Sequence, residues 1–149
     1  HTCIIKDDYT KIFNAMKKCD GLIIISPVYF GDTTEIHKVF FDRLRRCEAS
    51  RSFSQKTIDH ETKCKDNIII DNSKSQLDKK NIVLIAVAGG GGGGSLTCLN
   101  QMERYCSSFG GIILDRLTVT RYNRQTKLEA VRKSGGHIAK PPYVENIRE

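Results

Sequence analysis

Six consecutive glycines, Gly89 to Gly94, followed by Ser95, constrain this chain more than any other feature. Each glycine carries the largest entropic cost of ordering, so such a run belongs to a loop and not to the interior of a helix or strand. Its flanks then set the local architecture. Ile82 to Val87 is a continuous apolar run, as expected of a strand buried on both faces. After the loop, Leu96, Leu99, Met102, Cys106 and Phe109 recur at helical spacing and predict a helix over 96–109 with one apolar stripe. The same order of strand, loop and helix occurs upstream. Leu22 to Ile25, bounded by Gly21 and Pro27, reads as a short buried strand. Ser26 to Thr33 reads as its loop, and 34–46 as a helix with Ile36, Phe40, Leu44 and Cys47 on its apolar side.

The remaining segments extend this alternation. Asp7 or Asp8 is a candidate N-cap for a helix over 9–19 in which Ile12, Met16 and Cys19, with Phe13 beside them, face inward; Gly21 ends it. Gly110-Gly111 punctuates the helix after the glycine loop, and Ile112 to Val119 is a third strand. Asn123 is placed to cap a last helix over 125–137, and Pro141-Pro142 makes the tail extended. Residues 48–80 are rich in Ser, Lys, Asp and Asn and read as an insertion, a lid or an arm that docks on another subunit. Ile68-Ile69-Ile70 is its expected anchor, with disorder as the alternative. Strands separated by helices predict an α/β fold with a parallel sheet. Ligands in such sheets sit beyond the carboxyl ends of the strands, and the loops 26–33 and 88–95 occupy that position.

Composition narrows the function classes. A chain of 149 residues is the size of one domain and can bury a real core. No apolar run approaches the ~20 residues that span a bilayer, so no membrane role is expected. The opening residues do not form a signal peptide, and a reducing, cytoplasmic setting with six free cysteines is expected. A net charge of +7 admits an anionic partner, but the basic residues are spread out, and nucleic acid is the least supported partner. His37, His60 and His137 lack metal-ligand spacing and read as surface residues.

The glycine loop supports three readings. A P-loop requires a Lys before the Ser, which is missing at Gly94-Ser95. A Rossmann-type dinucleotide site is matched by Gly89, Gly91 and Gly94 with Asp115 as the acidic partner, although any six-glycine run matches that pattern. A flexible turn without a ligand is the third. The other loop is more informative. It reads Ser26-Pro27-Val28-Tyr29-Phe30-Gly31, with two aromatic residues suited to a planar ring.

That loop, followed by a helix reading Lys38-Val39-Phe40-Phe41-Asp42-Arg43, resembles the flavodoxin-like NAD(P)H-dependent FMN reductases, in which S-P-x-Y is followed by K-x-F-x-D-R. Cys3-Ile4-Ile5-Lys6-Asp7-Asp8 resembles the last step of the cysteine motif of iron-sulfur flavoproteins in that family. The resemblance spans about Cys3 to His137 apart from the insertion. It implies a flavodoxin-like three-layer fold in one partial domain over 1–149, lacking the family's first strands and phosphate loop. Residues Ser26, Pro27, Val28, Tyr29, Phe30 and Gly31 would border the isoalloxazine of FMN. Gly89, Gly90, Gly91, Gly92, Gly93, Gly94 and Ser95 would face its pyrimidine side and ribityl chain. The implied activity is electron transfer from NAD(P)H through FMN to an unspecified acceptor. No catalytic side chain is required, and a homo-oligomer is expected. Cys3 is the one cluster ligand in view, and a [4Fe–4S] cluster, which takes four thiolates, is expected in a full-length form only. Two other functions are carried beside this one: a Rossmann-type dinucleotide-binding domain, and a degenerate, non-catalytic flavodoxin-like fragment that acts in oligomerisation through the 48–80 insertion.

Overall fold

A computed structural model describes residues 5–56 and 75–138, with side chains described outside 46–56. Cys3, Cys64, His60, the 68–70 apolar island and the 139–149 tail lie outside the described residues. Three parallel strands, β1 (Gly21–Pro27), β2 (Asn81–Ala88) and β3 (Ile112–Thr120), form one sheet in the order β1-β2-β3. The helices are α1 (Tyr9–Lys18), α2 (Glu35–Lys56), α3 (Ser95–Ser108) and α4 (Arg124–Ile138). The parallel α/β architecture matches the expectation.

One face of the sheet packs against α1, α2 and α3. Its core joins Met16, Ile24, Phe41, Leu44, Ile82, Leu84, Leu99, Met102 and Phe109. The other face packs against α4, where Val83, Ile85 and Leu117 meet Ala130, Val131 and Ile138. The central strand β2 is accordingly buried along nearly its whole length, which its unbroken apolar run anticipates. Each large aliphatic side chain buried there contributes roughly 1.5–3 kcal/mol. The β2–β3 pairing carries an irregularity: Ile82 pairs with Ile113 but Val83 with Asp115, so Leu114 is an extra residue.

Several expectations are corrected. β1 is not buried on both faces. Ile24 and Ser26 point into the core, but Ile23 and Ile25 are 49% and 51% exposed, because α4 packs on β2 and β3 and meets β1 near Gly21, short of these two residues. In α1 the inward stripe is Tyr9, Phe13 and Met16; Ile12 is exposed, and Cys19 is the C-cap. In α2 the inward residues are Phe40, Phe41 and Leu44, and Ile36 is exposed. In α3 Leu96 is exposed, whereas Ser95 and Cys98 take the inward positions at that end. Helix α2 also continues to Lys56, well into the expected insertion; no Gly or Pro lies between Glu35 and Lys56 to stop it.

Two anchors went unforeseen. Leu77, at the end of the expected insertion, is fully buried in the core. Lys80 donates its Nζ to the Lys17 carbonyl at 3.0 Å and to the Cys19 carbonyl, satisfying the last carbonyls of α1.

Candidate functional site

β1 and β2 pair in unbroken register from Gly21↔Asn81 to Pro27↔Val87. The Val28 N–H then donates to the Val87 carbonyl at 2.9 Å, carrying the ladder one step past Pro27. The two loops therefore leave the sheet side by side, about 4.8 Å apart.

The first loop folds back on itself. Tyr29 and Asp32 form an antiparallel bridge, with N–H to carbonyl distances of 3.2 and 3.0 Å. Phe30 and Gly31 between them have φ of 51° and 79°. Positive φ at both central residues is the geometry of a two-residue type I′ turn, which favours Asn-Gly and strains a phenylalanine. Phe30 is thereby presented fully to solvent, with Tyr29 63% exposed behind it. At the base of the loop, the buried Ser26 hydroxyl donates to the Pro27 carbonyl at 2.9 Å and accepts the Thr34 N–H at 3.3 Å. Thr34 caps α2: its hydroxyl accepts the His37 N–H at 3.4 Å and its carbonyl accepts the Lys38 N–H at 3.0 Å.

The glycine loop closes against this hairpin. Gly94 is the N-cap of α3 with φ 79°, and a Cβ there would lie 2.5 Å from the Gly31 Cα and 3.5 Å from Val28 Cγ1. No Cβ fits between the two backbones, so Gly94 touches Gly31 directly. By contrast, a Cβ on Gly89, Gly90, Gly91 or Gly93 would meet nothing within 4 Å. The glycine run thus offers open backbone beside an aromatic hairpin. Of the residues expected to border the ring or face its pyrimidine side, Ser26 and Pro27 end β1, Ser95 begins α3 and the rest lie on these two loops, and all of them gather at one end of the sheet. Ser95 departs from the others: its hydroxyl is buried beside Gly92 and Thr120 and has no hydrogen-bond partner.

The K-x-F-F-D-R segment serves the scaffold of this site. Lys38 Nζ pairs with Asp42 at 3.0 Å, and Phe41 stacks on Tyr105 with ring centroids 4.7 Å apart. Arg43 lies over the Tyr9 ring at 4.2 Å and pairs with Asp7 at 2.5 and 3.0 Å through both terminal nitrogens. Hydrogen bonding from Arg43 holds the Asp7 carboxyl below its ordinary value. Asp7 also accepts the Tyr9 N–H at 3.1 Å, so it caps α1 by its side chain, whereas Asp8 makes no such bond. The two sequence motifs behind the resemblance therefore meet physically, through Asp7 and Arg43.

His37 is not the expected surface residue. It is half-buried against Phe41 with ring centroids 5.9 Å apart, its Nδ1 has no partner, and burial lowers its pKa. Asp115 lies opposite Val83, five positions short of the carboxyl end of β3, and accepts the Ser134 hydroxyl from α4. A ribose-binding acid belongs at the end of its strand, so Asp115 does not meet the Rossmann requirement. An open depression of about 620 Å³, lined by Asn100, Glu103, Arg104, Ser107 and Ser108, runs along α3 away from both loops.

A profile of NADPH-dependent FMN reductases matches residues 1–124. The chain belongs to the NADPH-dependent FMN reductase family. Within short segments it is similar to iron-sulfur flavoproteins. It is 42% identical over 41 residues to one from Methanosarcina thermophila, covering 28% of this chain and 22% of that protein. It is 46% identical over 43 residues to one from Methanocaldococcus jannaschii, covering 29% and 22%. Among solved structures, a flavone reductase shares the fold at a TM-score of 0.58 and 15% identity, over 91% of this chain and 46% of that one. General stress protein 14 from Treponema denticola, solved in complex with FMN, shares it at 0.52 and 14% identity, over 90% and 71%. The similarity thus spans less than half of the flavone reductase and about a fifth of each iron-sulfur flavoprotein. Those structures support the flavodoxin-like fold expected for an NADPH-dependent FMN reductase.

Among the described residues no cluster of His, Cys, Asp and Glu could hold a metal ion, and no helix is long and apolar enough to cross a membrane. Cys98 and Cys106 are fully buried, and burial pushes the Cys106 thiol up to about 12. Thiols so disposed do not suit an iron–sulfur cluster, which needs thiolates, and Cys3 lies outside the described residues.

Proposed function

We propose that this protein is an FMN-dependent NAD(P)H oxidoreductase. The observation that carries the reading is the direct contact of Gly31 with Gly94, which joins an aromatic hairpin to an open glycine backbone at the carboxyl ends of two parallel strands. The residues fit a planar, heteroatom-rich ring. Tyr29 and Phe30 supply apolar surface that shields one side from water, and Pro27 to Gly31 bring backbone along its edge. Gly89 to Gly93 let the chain approach without a side chain intervening. The chemistry the cofactor supplies there is acceptance of hydride from NAD(P)H and onward transfer of electrons. No acid, base or nucleophile of the chain is needed, and the chain's work is to bind, orient and exclude water. A homo-oligomer, and a cytoplasmic setting in keeping with the free thiols of Cys19, Cys98 and Cys106, belong to the same proposal.

Flavin fluorescence during titration with FMN tests this. Quenching at micromolar protein is expected. Tyr29→Ala should weaken binding about tenfold, the loss of one aromatic stacking contact with its buried area, and Asp115→Ala should leave it unchanged. Absence of quenching at that concentration removes the proposal for this chain. NAD binding without flavin, lost in Asp115→Ala, would favour the Rossmann reading instead.

A further inference from the structure

The glycine loop has a second side, facing away from the aromatic hairpin toward the turn that follows β3. A Cβ on Gly92 would lie 3.1 Å from Thr120 Cγ2 and 3.7 Å from Ser95 Oγ, so these three residues meet there. Ser95 is the first residue of α3 and only 2% exposed, and its hydroxyl is a buried donor without an acceptor. Burying such a group unsatisfied is unfavourable, and an arriving oxygen acceptor would relieve it. The N–H groups of Leu96 and Thr97, in the same first turn, have no carbonyl partner among the described residues. The dipole of this 14-residue helix adds positive potential at the same point.

The turn after β3 adds formal charge. Thr120 N–H donates to Asn123 Oδ1 at 2.7 Å and Asn123 N–H donates to Thr120 Oγ1 at 3.2 Å, pinning a tight turn that carries Arg121 and leads to Arg124 at the start of α4. Both arginines are exposed, and neither is paired with a carboxylate among the described residues. The hydroxyl lies under the loop, but Gly89, Gly90, Gly91 and Gly93 have open space around them, so the loop has room to move aside.

We propose that this side of the glycine loop binds a phosphate group of the pyridine-nucleotide donor. Ser95 Oγ and the Leu96 and Thr97 N–H groups donate to its oxygens, and Arg121 and Arg124 neutralise its charge. Assignment to the donor rests on the oxidoreductase reading above. It follows from the site's place across the loop from Tyr29 and Phe30, one strand beyond the ring. The flavin's own phosphate has the same chemistry and is the competing source.

Calorimetric titration of the chain with 2′,5′-ADP, which carries phosphates but no nicotinamide, and with adenosine tests the site, with riboflavin and FMN titrated in parallel. The expected result is 2′,5′-ADP binding at least tenfold tighter than adenosine. Ser95→Ala should weaken it about tenfold. The double variant Arg121→Gln, Arg124→Gln should weaken it further and flatten its salt dependence. Riboflavin and FMN should bind alike, unaffected by the arginine variants. Equal binding of 2′,5′-ADP and adenosine, or arginine variants that bind as the wild type does, overturns the site. A preference for FMN over riboflavin that the arginine variants abolish overturns the assignment to the donor. The arginines are exposed, so their variants carry the test even if Ser95→Ala fails to fold. Loss of riboflavin binding with 2′,5′-ADP binding intact would remove the flavin reading while leaving the anion site standing.

Discussion

A side chain on Gly94 would occupy the space where the Gly31 Cα sits, 2.5 Å away, and both residues hold φ of 79°. The contact locks two loops that the sequence separates by more than sixty residues. Gly94→Ala should therefore cost about 2 kcal/mol or more, from the left-handed backbone and the clash together. It should also weaken flavin binding. Gly90→Ala, in open space at an ordinary φ, should change stability by less than about 1 kcal/mol. Thermal melts with flavin titrations of both variants check this.

Thiol chemistry should sort the described cysteines by burial. Cys98 and Cys106 are fully buried, and desolvation raises both thiols, Cys106 to about 12. Alkylation at pH 8 followed by peptide mapping should label Cys19, which is partly exposed, well before either of them. Prompt labelling of Cys106 in the folded protein would show that its core opens readily.

The exposed side of β1 should govern self-association. Ile23 and Ile25 stand half in solvent on a strand whose outer edge pairs with nothing among the described residues. Such an edge invites pairing with another chain. Ile23→Thr with Ile25→Thr should reduce the sedimenting mass and shift Tm by no more than a few degrees, since little buried area is lost.

His37 should make stability fall with acid. Burial lowers its pKa in the folded state, so the unfolded chain binds the proton first. Stability is then complete above the ordinary histidine value of about 6.5 and declines as pH falls from there through the lowered folded value. Tm measured from pH 8 to 5 should drop in the wild type and drop less in His37→Gln. Parallel curves for the two proteins would remove this account.

Elements and their order were legible in the chain because apolar runs and helical spacing report burial directly. Ile82 to Val87 reads as a strand buried on both faces and is one. The failures share a physical origin: periodicity shows which residues are apolar but not which neighbours exist to cover them. Ile23 and Ile25 belong to as apolar a run as β2, yet α4 does not reach them. Ile36 and Leu96 continue their stripes on paper, but each sits in the first turn of its helix, and both are exposed. Both site loops were visible from Pro27, Tyr29 and the glycines. The reversed turn at Phe30-Gly31 was not, because Phe-Gly lacks the Asn or Asp that marks such turns. The scaffold role of Arg43 was also hidden, since its partner Asp7 lies 36 residues away.

The extra residue in β3 has a consequence for how the layers are phased. Leu114 and Asp115 both turn toward α4, one into its apolar contacts and the other to Ser134. From there the alternation is shifted by one. Arg116 consequently reaches Asn100 and Glu103 on α3, while Leu117 lies beneath α4. Run the β2–β3 ladder straight through Leu114 with the start of the strand held fixed, and Arg116 would be driven under α4 and Leu117 out from under it. The bulge, by letting two successive residues face the same layer, thus acts as the gear tooth that keeps both layers of the protein in step.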